Sequence, residues 1–163
     1  MALKSDRYEL QTDISFFYND GTATRGGVVV HDTAGSGAAM DQGVNLVKYK
    51  QATATDIPVG ILLNDVVNKD LTRTHLNQHK DEVQKGGKVT LLTRGWVVTS
   101  AITGTPKAGD VAYASTTGSI APTCGVSTGS GSLAIGRFMS RKDADGYAKV
   151  AVNLPNAGVN RDQ

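Results

Sequence analysis

The spacing of turn signals constrains this chain more than any other feature. Beyond Gly86, short apolar or alternating runs are separated by glycine-bearing clusters at intervals of roughly 8–12 residues, the rhythm of a β-sandwich or barrel. "KVTLLTRGWVVTSAI" supplies two strand candidates, Val89 to Thr93 and Trp96 to Ile102, about Arg94-Gly95. "KAGDVAYASTTGSIAP" gives a Gly109-Asp110 turn, an alternating run from Val111 to Ser115, a second turn and a short apolar exit. "LAIGRFMS" and "AKVAVNL" flank Asp145-Gly146, a dipeptide suited to hairpin turns that need positive φ. Composition agrees with this pattern. The 19 glycines, with abundant threonine and serine, suit many short strands joined by tight corners. A chain of 163 residues is long enough for one domain with a real core.

The first half is less regular. Residues 1–19 are polar and end in Ile14-Ser15-Phe16-Phe17-Tyr18, which reads as an N-terminal arm packing its aromatic end on the domain or on a neighbouring subunit. Strand candidates follow at Gly27 to His31, at Val44 to Tyr49 and in "DIPVGILLNDVV". In the last of these Pro58 suits a strand start, and Gly60 marks a bulge or a close backbone approach. Gly136, in "AIGRF", repeats the pattern faintly. Residues 64–85, "NDVVNKDLTRTHLNQHKDEVQK", are dense in charge and contain no glycine. They read as one long polar loop ending in a helical turn at Gly86-Gly87, and a loop of that length usually has a task. The expected architecture is therefore all-β: a compact antiparallel sandwich or small barrel. It comprises an arm (1–19), a single domain (20–155) carrying the 64–85 excursion, and a polar tail (156–163).

Chemistry is hard to place on these residues. His75 and His79 have the i, i+4 spacing of a zinc site, but Leu76 stands where a metalloprotease needs its general-base Glu. Two histidines in a polar loop read as solvated residues. "KDADGY" lacks the later ligands of a calcium loop, and "QKGGKVT" lacks the first glycine and the hydroxyl residue of a phosphate loop. Ser127 sits in Gly125-Val126-Ser127-Thr128-Gly129, which has the letters of Gly-x-Ser-x-Gly but does not fall between a strand and a helix, so it reads as no nucleophile elbow. Cys124 is the single cysteine, so there is no internal disulfide framework or cysteine-rich zinc site. Trp96, in an apolar strand, reads as core rather than as a ligand platform. With a net charge of +2 and scattered cations, nucleic acid is not the implied partner. No stretch reads as a leader or approaches the roughly 20 apolar residues of a membrane span. The expectation is a chain made in the cytoplasm, with no catalytic residue, no cofactor, no metal and no membrane partner.

"DEVQKGGKVTLLTRGWVVTSAITGTPKAGDVAYASTTGSIAP" with "IGRFMSRKDADGYAKVAVNLP" resembles the head decoration, or cement, proteins of tailed bacteriophages. The resemblance covers most of residues 81–155, and "PVGILLND" at 58–65 fits the same style. It implies a non-enzymatic virion protein on the outer capsid surface. Such a protein cements neighbouring major capsid subunits and self-associates as a homodimer or homotrimer. On that reading Phe16, Phe17 and Tyr18 are arm anchors, and Leu71, Arg73, His75 and Lys80 face a capsid subunit. The alternative for each is ordinary: intrachain core for the rings, solvated surface for the loop residues. Another small phage component (a head-fibre base or tail protein) or a glycan-binding β module are the competing functions.

Overall fold

The computed structural model describes residues 2–34, 45–49, 56–67, 82–123 and 133–154. Among these residues the regular structure is all strand: β1 (Leu3–Asp13), β2 (Phe17–Tyr18), β3 (Val28–His31), β4 (Leu46–Tyr49), β5 (Pro58–Leu62), β6 (Asp65–Val67), β7 (Glu82–Gln84), β8 (Leu91–Thr99), β9 (Val111–Ala114), β10 (Ile120–Ala121), β11 (Ala134–Phe138) and β12 (Ala148–Asn153). Ten of them form one mixed sheet in the order β10-β9-β11-β12-β8-β5-β3-β4-β2, with β1 added on β8. β6 and β7 form a separate parallel pair. The all-β expectation holds. The sheet is not purely antiparallel, because β2 and β4 also run parallel.

Three apolar runs explain the arrangement. Side chains alternate faces along a strand, so a strand buried on both faces needs consecutive apolar residues. Val28 and Val29, Ile61 and Leu62, and Leu91 and Leu92 are such runs, and all six side chains are fully buried. One member of each run (Val28, Ile61, Leu92) enters a core shared with Val97, Ile120, Ile135, Phe138, Val150 and Val152. The other member (Val29, Leu62, Leu91) enters a second core with Tyr18, Val47, Val59, Val66 and Val89. Neighbouring parts of β3, β5 and β8 are thus a wall between two cores, held in register by Val28↔Ile61, Ile61↔Leu92 and Leu62↔Leu91.

The sheet curls without closing. The Val28 N–H donates to Gly118 O (2.8 Å) and the Ile120 N–H to Ala101 O (2.8 Å), so the β9–β10 hairpin folds back to the wall. The Tyr49 ring lies against the backbone of Gly27 and Gly118, where a Cβ on either glycine would collide with it. Both glycines singled out inside strands sit at register irregularities. A Cβ on Gly60 would lie 2.9 Å from Leu92 O, and one on Gly136 would overlap Ala151 O.

Three segments differ from the sequence reading. The residues read as an arm form an eleven-residue strand along β8, from Leu3↔Thr99 to Asp13↔Leu91. The runs before and after Arg94-Gly95 are one strand, because Gly95 adopts φ 140° and leaves room for Tyr8 O of β1. The described ends of the polar excursion are paired strands rather than loop and helical turn, with Val66↔Val83 at the centre of the pair.

Two substitutions test this account. Gly136→Ala forces a methyl against the β12 backbone and should cost about 2–3 kcal/mol in urea unfolding. Asp110 accepts the Lys107 N–H at 2.8 Å within its turn. Asp110→Ala should therefore cost about 1 kcal/mol, and an unchanged midpoint would remove the turn from the stabilising contacts.

Candidate interface

β1, β8, β12 and β11 lie side by side, and one face of this four-stranded region packs on the first core. The opposite face carries the out-of-phase residues. Cross-strand pairing lines up Tyr8, Trp96, Ala151 and Arg137 in one row across the four strands. Arg94 pairs with Asn153 in the next row towards one end, and Val98 with Lys149 in the next row towards the other. Because successive side chains alternate, Val97, Thr99, Val150 and Val152 are buried while their neighbours point outward. Tyr8 is 54% exposed, and Met139, just beyond Phe138, is 55% exposed. Leu10 and Ile14 add exposed apolar surface on and just after β1.

The polar groups on this face are held in place by neighbours. The Trp96 ring stacks on Tyr8, with centroids 6.5 Å apart and planes at 26°. The Lys149 ammonium sits 3.5 Å from the Trp96 ring centroid, a cation–π contact. Arg94 Nε donates to Asn153 Oδ1 at 3.0 Å, and an Arg137 guanidinium N–H donates to Gly109 O at 2.7 Å. At the edge, Lys4 Nζ donates to Asp143 Oδ2 at 3.1 Å and lies 4.3 Å from the Tyr147 ring centroid. Asp143 also accepts the backbone N–H groups of Tyr147 (2.8 Å) and Asp145 (3.0 Å). The Tyr147 N–H and then the Lys4 ammonium hold its carboxyl below the ordinary carboxylate value, while Asp143 pushes Lys4 up. Beside this cluster Asp6, Val98, Ser140, Lys142 and Lys149 are part of the lining of an open depression of 740 Å³ that contains no histidine or cysteine.

The sequence-chosen positions fall elsewhere. Tyr18 is fully buried and Phe17 is 9% exposed, so both rings lie inside the chain. Phe16 packs at the margin of the second core, edge-on to His31 at 5.6 Å. Burial raises the Tyr18 hydroxyl above its usual pKa. The rings in this segment that were assigned to partner contact thus have intrachain partners. Leu71, Arg73, His75 and Lys80 lie outside the described residues, as do His79, Cys124 and Ser127. Among the described residues no group of three His, Cys, Asp or Glu side chains could hold a metal. Trp96, expected in the core, stands on the outer face, because Val97 and Thr99 hold the inward phase of β8. Tyr8, Arg94, Arg137 and Lys149 were not singled out from sequence. The alternation of β12 and of the end of β8 was the signal for Lys149 and Arg94, and it becomes informative only once the strand neighbours are known.

A search against protein families matches residues 7–153 to a family described as Structural cement protein (E217 gp24/Pam3 gp6). No curated protein matches the chain.

The Asp143 cluster sets a pH dependence. A carboxyl held below its ordinary value of 3.8 contributes stability fully above that value and loses it as pH falls through the folded pKa. Asp143→Asn should be less stable than the parent at pH 7. The gap should narrow in denaturant titrations as pH falls below 3.8, and a gap that stays constant on acidification would show that the carboxylate charge is not what matters.

Proposed function

The chain belongs to the phage structural cement protein family, and from that premise we propose that it binds the outer surface of an assembled capsid and cements neighbouring major capsid subunits without catalysing a reaction. The observation that carries this reading is the family match over residues 7–153, which spans almost every described strand. The geometry supports it. A rigid curled sheet with a broad outer face, bearing exposed rings and ordered cations, offers area rather than a reaction pocket. Area is what a cement needs: each copy binds the assembled shell better than free subunits and so stabilises assembly by mass action. Interfaces of that kind bury on the order of 1,200–2,000 Å², about what a flat face of several strands can supply.

The partners on this reading are the major capsid protein and further copies of the chain as a homodimer or homotrimer, at the virion surface. Leu71, Arg73, His75, Lys80 and Phe16 remain proposed contacts. Phe17 and Tyr18 act by supporting the segment from within the domain.

Co-sedimentation of the purified chain with shells of its own phage, before and after expansion, tests this reading. Saturable binding at a fixed ratio per capsid subunit, with a rise in the shell's thermal disruption temperature, is expected. Shells that neither retain the protein nor gain heat resistance would sink the cementing reading. Retention confined to tails would favour the tail or fibre alternative.

A further inference from the structure

Neutral groups hold cations at several places, as with Lys88 over the Phe17 ring and Lys142 on Ile102 O, but the outer face groups three of them. On β1, Lys4 and Arg7 each have a carboxylate partner, Asp143 and Glu9, and elsewhere Arg25 and Lys48 face Asp65 and Asp56. Arg94, Arg137 and Lys149 have none among the described residues. An amide oxygen, a backbone carbonyl and an indole ring hold them instead. Neutral partners fix the position of a cation while leaving its charge uncompensated and its remaining N–H groups free. Strand spacing and rise put the three Cα atoms about 8–14 Å apart around Ala151. The Arg94–Lys149 span of about 14 Å matches side chains i and i+4 of an extended peptide, and Arg137 lies about 7 Å to one side of that line, within reach of a long acidic side chain. Trp96 and Tyr8 provide an apolar shelf alongside.

From this charge pattern we propose that the outer face of β11-β12-β8-β1 receives an extended, carboxylate-rich polypeptide segment. Its acidic side chains meet Arg94, Arg137 and Lys149, and an apolar side chain lies over the exposed Tyr8 ring. Assigning that segment to a capsid subunit rests on the cementing reading above. Cations already held by neighbours reduce the entropy lost on binding, and the exposure of Arg94 and Arg137 makes the interaction sensitive to salt. A polynucleotide is disfavoured, because three cations grouped beside Asp6 and Asp143 do not form a continuous phosphate track.

Trp96 is the chain's single tryptophan, so its emission reports directly on this face. The full chain is titrated with a nine-residue peptide of alternating Glu and Thr, with a Lys–Thr peptide of equal length, and with a nine-nucleotide oligo-dT. Binding of the acidic peptide should change Trp96 emission saturably, and Kd should rise at least tenfold between 50 and 300 mM salt. A variant carrying Arg94→Gln, Arg137→Gln and Lys149→Gln, shown to be folded by circular dichroism, should bind at least tenfold more weakly. Silence of Trp96 towards the acidic peptide, equal binding by the variant, or tighter binding of the oligonucleotide would each overturn the proposal. The same variant is then mixed with shells. Equal retention of variant and parent would overturn the face as the contact and leave the cementing reading intact. Peptide binding without any shell binding by the parent would do the reverse.

Discussion

The structure depends on the wall formed by β3, β5 and β8. Each of these strands places consecutive apolar side chains on opposite faces, so a single layer of backbone serves two cores. Burial of a large aliphatic side chain contributes about 1.5–3 kcal/mol, and the wall concentrates several such side chains in a few residues. It also leaves little freedom in register. A slip of one residue in any of the three strands would exchange the two sets of side chains between cores of different shape. The curl, the hairpin return at Gly118 and the position of the outer face all follow from that fixed layer.

Much of the fold was legible because its signals are local. Gly109-Asp110, Gly118 and Asp145-Gly146 mark their turns by residue type, and the alternation of β9 and β12 names an inward and an outward face. Gly60 and Gly136 were legible as close approaches, and the backbone oxygens of Leu92 and Ala151 show why a side chain is excluded there. The illegible parts are those in which pairing overrides pattern. "LKSDRYELQTD" has too few apolar residues to announce a strand, because β1 is largely exposed and is held mainly by its ladder to β8. The parallel pairing of Asp65–Val67 with Glu82–Gln84 joins segments whose polar flanks suggested loop.

The candidate interface was hidden for a related reason. Large rings draw attention to Phe16, Phe17 and Tyr18, yet a cluster of rings close to several apolar runs is as well suited to a core. The structure gives the last two that role. The outer face is built instead from single residues on four strands that are remote in sequence. Trp96 became part of it through the phase of β8, which the buried Val97 and Thr99 decide. Spacing along the chain carries no record of such a row; only the cross-strand register assembles it.

That row also has a history in time. Tyr8 leaves the ribosome long before Trp96, and Arg137 and Ala151 come later still. The first strand must therefore wait, unpaired on its β8 side, until β8 is made, and its sequence suits the wait: charges interrupt its apolar residues and discourage stray pairing. A chain interrupted before β12 would have the first strand and the tryptophan but neither Lys149 nor the floor at Ala151. The outer face is thus a certificate of completion, present only on molecules whose last strand has been added.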